Sequence, residues 1–307
     1  MNPGRGIALK LLSILMFTLM AACIKAGREV VPTGEAVFFR SFFALPPILI
    51  WAAMQGRLAE AFQVNDRFAH LNRGLIGVAA MGCSFAALGL LPLPEAIAIG
   101  YAAPLIATAL AALMLGERVR AFRWTAVIVG LAGVLVMLWP RLTVLTSGEF
   151  SDREALGAWI ALLAAALVAL VMIHIRRLTR TETTLSIVFW FTVISTVASL
   201  TTVPFGWVWP DALTLVLLVS AGLLGGVAQI FMTESYRHAD ASTLAPMEYS
   251  SMVYGLAIGY VIFAEVPGPW VLIGASIVIS AGVLIIWRER QLGLDRDRAR
   301  AAKSPQG

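Results

Sequence analysis

The segments Met114-Leu-Gly-Glu117 and Ile262-Phe-Ala-Glu265 each end a long apolar run with a glutamate, and they lie 148 residues apart. Tyr101 and Tyr249 recur at the same offset. A fixed internal period dictates architecture, and this one predicts that the chain is a duplicated unit of about half its length. We predict five membrane spans in each copy, and an odd number of spans forces the two copies into opposite orientations. Such inverted repeats are typical of transporters.

The composition of the chain is that of a membrane protein. Mean hydropathy is +0.84, hydrophobic residues make up 59% and charged residues only 13%, whereas soluble domains carry roughly 25% charge. Apolar runs of roughly 20 residues recur along the chain, and each is long enough to cross a hydrocarbon core as a helix. The alternating pattern of barrel strands is lacking. We therefore predict an all-α integral membrane protein with ten transmembrane helices, arranged as two inverted five-helix repeats.

The predicted divisions follow the apolar runs. A first repeat covers residues 1–144, an inverted second repeat covers 145–290, and a basic cytoplasmic tail covers 291–307. The predicted spans are 7–25, 34–54, 74–92, 95–115, 122–139, 156–175, 184–205, 212–234, 241–263 and 269–287.

The net charge of +5 indicates topology rather than a nucleic-acid partner. With the N-terminus placed in the cytoplasm, 18 of the 23 Lys and Arg fall on the cytoplasmic side, 4 fall outside, and Arg40 lies within a span. This bias predicts that both termini are cytoplasmic. Cys23 and Cys83 lie in apolar runs, so we expect no disulfide. No sequence motif indicates a metal, a nucleotide or another cofactor.

Two ionisable residues inside predicted spans are candidate functional groups, because charges within a membrane are costly. Arg40 lies about six residues into the second span, where it would bind a carboxylate or phosphate of a substrate. The alternative is that it extends outward to the interface or pairs with Glu35. Glu248 lies about seven residues into the ninth span, after Pro246, and could take up a proton during transport or receive a substrate ammonium. The alternative is a structural carboxyl bonded to a neighbouring helix.

Aromatic and small polar residues complete the predicted substrate site. Pro104 should kink the fourth span and expose backbone carbonyls to a cavity. Tyr101 and Tyr249, related by the repeat, would face that cavity with rings and hydroxyls, and Ser251 follows Tyr249 closely. Trp190 lies deep enough in its span to line the cavity as well. Ordinary helix packing is the alternative for these residues.

Several of these residues carry a family resemblance. Pro104 followed by Glu117, then Gly130 and Gly133 in the next span, resembles the EamA-type repeat of the drug/metabolite transporter superfamily. Arg40-Ser-Phe-Phe and the second half from Ala245 to Glu289 are similar to further parts of that repeat. The chain departs from a symmetric pattern, since Met252 stands at the position equivalent to Pro104 and Val188 at that of Arg40.

The resemblance implies a secondary transporter of small metabolites that works by alternating access in the bacterial inner membrane. An amino-acid exporter is the first expectation, and uptake of a ring-bearing metabolite such as riboflavin or S-adenosylmethionine is the alternative. A membrane enzyme or assembly factor is a remote third possibility, because no catalytic constellation occurs in the sequence. The expected partners are a small-molecule substrate and the lipid bilayer, with the protein a monomer or a homodimer.

Overall fold

The fold is almost wholly helical in the computed structural model, which describes residues 3–115, 121–146, 153–239 and 244–303. No strand occurs within these ranges. Two short 3-10 turns cover Val203–Phe205 and Ala245–Tyr249. The α-helices are α1 (Pro3–Gly27), α2 (Thr33–Phe42), α3 (Leu45–Met54), α4 (Leu58–Phe62), α5 (Arg67–Leu88), α6 (Leu93–Gly100), α7 (Ala102–Leu115), α8 (Ala121–Thr146), α9 (Arg153–Leu178), α10 (Thr184–Leu200), α11 (Ala212–His238), α12 (Ser250–Phe263) and α13 (Pro269–Lys303).

Six helical segments in the described part of the chain are long and apolar enough to cross a membrane. They are Gly4–Gly27, Thr33–Met54, Arg67–Leu88, Leu93–Met114, Arg153–Ile175 and Ala212–His238. Three shorter apolar helices cover Trp124–Trp139, Thr184–Leu200 and Pro269–Leu284. The expectation of a helical protein with several membrane-spanning segments is thus met.

Prolines interrupt two of the long segments. Between α2 and α3, Pro46 and Pro47 lack the N–H groups that would bond the carbonyls of the preceding turn, and the helix breaks there. Between α6 and α7, the break falls at Tyr101, whose N–H donates to the carbonyl of Ala98 at 3.2 Å. Pro104, the third residue of α7, leaves the carbonyl at Gly100 without its helical donor. The kink predicted from Pro104 therefore lies one turn before it.

The ninth predicted span differs from the expectation of one continuous helix. The 3-10 turn Ala245–Tyr249 follows Leu244, and the α-helix α12 starts only at Ser250. Pro246 has no N–H to donate, which favours the turn over a regular helix at this point. Glu248 is consequently held on a 3-10 turn rather than on a regular α-helix.

Close antiparallel pairs organise the helices. α1 packs along α11, α5 along α9, and α8 along α13. The start of α1 lies beside the end of α11, because Gly6 contacts Ala239, and the end of α1 lies beside the start of α11, because Gly27 contacts Leu218. We call the side that holds the start of α1 the N-terminal face, and the other side the opposite face.

Glycines on α11 allow the backbones to approach closely. A Cβ atom at Gly222 would lie 2.4 Å from Cβ of Phe43 and 2.8 Å from the carbonyl oxygen of Phe39. A Cβ atom at Gly226 would lie 2.9 Å from the carbonyl oxygen of Ala44. The break between α2 and α3 is therefore covered by α11, which shields its unpaired backbone groups from lipid.

This contact predicts that Gly222→Ala destabilises the protein by about 1–3 kcal/mol, because the added methyl group overpacks the α2–α11 interface. Gly82→Ala is the matched control, since nothing lies within 4 Å of a Cβ at that position. Thermal unfolding in detergent should show a lower Tm for Gly222→Ala and an unchanged or slightly higher Tm for Gly82→Ala. Equal Tm values for the two variants would contradict the close approach.

Candidate functional site

The structure brings four of the predicted site residues together where α6 and α7 meet the turn before α12. The rings of Tyr101 and Tyr249 meet edge to face, with centroids 5.3 Å apart. Ser251 Oγ donates to the carbonyl oxygen of Glu248 at 2.7 Å, and Tyr101 Oη lies 2.7 Å from Ser251 Oγ. Because the single Ser251 proton is already donated, the Tyr101 hydroxyl is the donor of the second bond. We call Tyr101, Tyr249 and Ser251 the tyrosine cluster.

Glu248 forms an ion pair with Lys10 of α1. Lys10 is only 1% exposed, whereas the Glu248 side chain is 53% exposed. The ammonium of Lys10 also lies 5.3 Å from the ring centroid of Tyr236. Lys10 was not among the predicted site residues, and this pairing was not predicted. The signal was present, because Lys10 lies inside the apolar run 7–25, where an ionisable residue is itself a candidate.

Arg40 is buried and has no acidic partner among the described residues. Its side chain is 8% exposed, and its Nε atom lacks a hydrogen-bond acceptor. Its guanidinium lies against Gly225 of α11, where a Cβ atom would be 3.4 Å from Nε. The alternative pairing with Glu35 is not seen among the described residues, where the Glu35 carboxylate accepts the N–H of Val208 at 3.1 Å. Arg40 is thus free to bind an anion.

Arg73 of α5 is a second buried cation, which the sequence analysis missed. Its side chain is 8% exposed, its Nε and Nη1 atoms lack hydrogen-bond acceptors, and its guanidinium carbon lies 3.8 Å from the ring centroid of Phe191. The predicted span began at residue 74, which left Arg73 in a loop. The helix begins at Arg67 instead, since the Asp66 side chain caps it by accepting the N–H of Ala69 at 2.9 Å.

Arg73 lines a cavity of about 450 Å³ whose other walls include Gln229 and Thr233 of α11. Arg57 and Arg237 also line this cavity, and both lie at the N-terminal face. They form the rim of the cavity, which therefore opens at that face. Both rim arginines are already engaged: Arg57 with Glu60 at 2.7 Å and Arg237 with Glu234 at 2.7 Å. The hydrogen bond from Arg57 lowers the pKa of the Glu60 carboxyl. The arginine within the cavity wall lacks such a partner.

The other predicted residues have different surroundings. Pro104 is exposed and shapes the backbone rather than contacting the tyrosine cluster. Trp190 of α10 packs its ring against Phe189, with centroids 5.6 Å apart, in an apolar cluster with Ile48 that is separate from the tyrosines. Glu117 lies outside the described residues.

Glu265, the counterpart of Glu117, joins three elements at the opposite face. Its carboxylate lies 2.9 Å from Nζ of Lys25 at the end of α1 and accepts the N–H of Leu93 at 2.7 Å. Lys25 also donates to the carbonyl of Leu91 at 2.6 Å. A polar vestibule of about 940 Å³ lies outside this network, with Lys25 and Glu265 in its wall. The network therefore ties α1, the start of α6 and the end of α12 together where the vestibule ends.

Comparison with known proteins identifies the family to which the chain belongs. The sequence matches the EamA-like transporter family over residues 4–139 and again over 155–287, and the chain belongs to that family. The pseudopaline exporter of Pseudomonas aeruginosa is 30% identical over 285 residues, covering 92% of this chain and 93% of the exporter. The S-adenosylmethionine uptake transporter of Rickettsia prowazekii is 28% identical over 286 residues, covering 93% and 94%.

A solved crystal structure shares the fold, with a TM-score of 0.63 at 20% identity, covering 94% of this chain and 99% of the other. The resemblance noted from the sequence is confirmed, and the protein is a membrane transporter of metabolites. Within the described residues, no group of three or more His, Cys, Asp or Glu side chains is placed to hold a metal ion.

The Lys10–Glu248 pair predicts unequal effects for its two single variants. Glu248→Gln leaves a buried ammonium without a charge partner and should cost about 3 kcal/mol. Lys10→Met leaves a half-exposed carboxylate that water can solvate, and should cost no more than about 1 kcal/mol. Thermal unfolding in detergent measures both, and the double variant should recover most of the loss in Glu248→Gln. Equal losses in the two single variants would contradict the burial asymmetry.

Proposed function

We propose that the protein exports a small amino-acid-like metabolite across the bacterial inner membrane by alternating access. The observation that carries this proposal is Arg40, a buried cation without an acidic partner in the described chain of an EamA-like transporter. A substrate carboxylate is the ligand that such a guanidinium binds best. The exporter named among the relatives favours the outward direction.

The proposed architecture is ten spans in two inverted five-helix repeats, with both termini in the cytoplasm. The pattern of helix pairs supports this architecture. In the proposed numbering α1 and α11 are spans one and eight, and α9 and α5 are spans six and three. The repeat relates span one to span six and span three to span eight, so it converts the α1–α11 pair into the α9–α5 pair. The contact between Tyr101 and Tyr249 gives further support. Two repeat-related residues touch each other only close to the axis that relates the repeats, so the tyrosine cluster would mark the centre of the transporter.

Glu248 is the proposed acceptor for the ammonium group of the substrate or for a transported proton. Lys10 holds this carboxylate in the present state, so either ligand must displace the Lys10 ammonium. The hydrogen bond from Ser251 to the Glu248 carbonyl fixes the turn that presents the carboxylate, and Tyr101 in turn bonds Ser251. Binding of the substrate at Glu248 would therefore directly affect the contact between the two proposed halves.

Alternating access requires that the two faces open in turn. The cavity with Arg73 in its wall opens at the N-terminal face, which is the cytoplasmic side in the proposed topology. The Lys25–Glu265 network joins α1, α6 and α12 at the opposite face. We assign this network as the closure that must break before a substrate is released outside.

A ring-bearing substrate is the second candidate, favoured by a different cavity. An apolar space of about 230 Å³ lies among α1, α5, α6, α7 and α9. Gly100 and Ala103 line it and flank Tyr101 in the sequence. The edge-to-face tyrosines could stack on a planar ring that enters this space. The relative named as an S-adenosylmethionine uptake transporter supports such a substrate and the inward direction.

The test is counterflow in proteoliposomes with labelled amino acids, riboflavin and S-adenosylmethionine. We expect uptake of amino acids, and we expect Arg40→Gln to reduce it about ten-fold because a charge-assisted bond to the carboxylate is lost. Arg67→Gln is the matched control, since that arginine is exposed at the start of α5 and does not line the cavity at Arg73. Unchanged amino-acid uptake in Arg40→Gln would refute the assignment, and uptake of a ring-bearing compound alone would favour the second candidate.

The closure predicts that Glu265→Gln exposes the opposite face more often. Cys23 lies two residues before Lys25, so in a Cys83→Ser background it reports access from that face through labelling by a membrane-impermeant maleimide. Labelling should be faster in Glu265→Gln than in the parent protein. Glu60→Gln, which breaks an ion pair at the other face, serves as control. Equal rates in the two variants would show that the Lys25–Glu265 pair does not hold the opposite face shut.

A further inference from the structure

We infer that the transported substrate carries two anionic groups, one held at Arg40 and the other at Arg73. This inference deepens the proposed function by naming the class of substrate, a small molecule with two carboxylates or their equivalent. It rests on the cavity at Arg73 and on the absence of acidic partners for either arginine in the described chain.

The four helices α2, α5, α10 and α11, which meet around the two arginines, offer no acid without a partner. Arg40 and Arg73 lie on α2 and α5, which pack against α10, and α11 packs against α2. Within these four helices the only acidic residues are Glu35 and Glu234. Glu35 accepts the Val208 N–H, and Glu234 holds Arg237. The acids that cap α5 and α11 each accept an N–H of their own helix. α9 and α6 also pack on α5, but their acids, Glu154 and Glu95, lie beside the end of α5 and away from Arg73.

Two buried guanidinium groups without acids between them are an unfavourable arrangement on their own. α2 and α5 pack against each other, so the two buried cations repel each other. One carboxylate would leave a net positive charge buried between α2 and α5, while two carboxylates would neutralise it. A dianion that bridges the two sites therefore stabilises the protein more than a monoanion does.

The wall around Arg73 is suited to hold a carboxylate there. Phe191 covers one side of the guanidinium, and Nε and Nη1 remain without acceptors. Arginine presents such donors in a fork that matches the two oxygens of a carboxylate. Gln229 and Thr233 lie in the wall of the same cavity and add polar groups for the rest of the substrate. Arg73 lies six residues after the start of α5, roughly 9 Å along the helix, so an anion from the N-terminal face can reach it.

The experiment compares two probes that differ by one charge at nearly equal size, succinate and succinamate. Binding is measured as the rise in Tm of the purified protein in nanodiscs on titration with each probe, which yields an apparent Kd. The wild type should bind succinate about ten-fold more tightly than succinamate. Arg73→Gln should remove this preference and leave succinamate binding unchanged. Arg40→Gln should weaken both probes.

Three results would overturn the inference: equal affinity for the two probes in the wild type, binding of neither probe, or a preference for succinate that persists in Arg73→Gln. Arg73→Lys keeps the charge but lacks the fork, and partial recovery of the preference in this variant shows that the loss comes from charge rather than from misfolding. Arg67→Gln is the matched control and should retain the full preference, because Arg67 is exposed at the start of the same helix and does not line the cavity.

Counterflow separates this inference from the proposed function. Labelled glutamate and glutamine differ in the same way as the two probes, and we expect the wild type to prefer glutamate and Arg73→Gln to lose that preference. Preferential binding of succinate without counterflow of any amino acid would keep the dianion site and refute amino-acid transport. Counterflow of glutamine equal to that of glutamate, with equal probe affinities, would keep transport and refute the dianion site.

Discussion

Hydrocarbon offers no hydrogen-bond partner, and this constraint governs how the chain can be broken. Helices satisfy their own backbone, so any interruption within a span must be covered by protein. α11 closes over the break between α2 and α3, because Gly222 and Gly226 let it touch the backbone there. The break at Tyr101 lies against the turn that ends at Tyr249, where hydroxyls and carbonyls bond one another. Three of the candidate residues, Arg40, Tyr101 and Glu248, thus lie at or near interruptions of the spans.

The cost of burying a charge within the membrane also governs how the ionisable residues are paired. Lys10 and Lys25 each meet a carboxylate, and these two pairs lie toward the two faces of the protein. Arg40 and Arg73 are buried without an acidic partner among the described residues. Burying an unpaired charge is costly, and in the proposed function the substrate supplies the missing negative charge.

The sequence predicted the helical spans and placed Arg40, Tyr101 and Tyr249 within them, because composition and the repeat act through short, local rules. It did not predict that the two tyrosine rings touch each other. It did not predict the partner of Glu248, since Lys10 is 238 positions away and only the packing of α1 on the turn brings them together. Arg73 was missed for a different reason. Hydropathy places the start of a span where the residues become apolar, whereas the helix starts at its cap, two turns earlier.

Arg40 and Arg73 both lie in the first half of the chain. The residues 148 positions after Arg40 and Arg73 are Val188 and Ala221, both without charge. The fold pattern is repeated in both halves, whereas the two arginines proposed to bind an anion occur in the first half alone. In the proposed function, the anion would then stay bound to α2 and α5 throughout the cycle while the second half moves relative to it. The second half would not need to bind the anion, and its role would be to move.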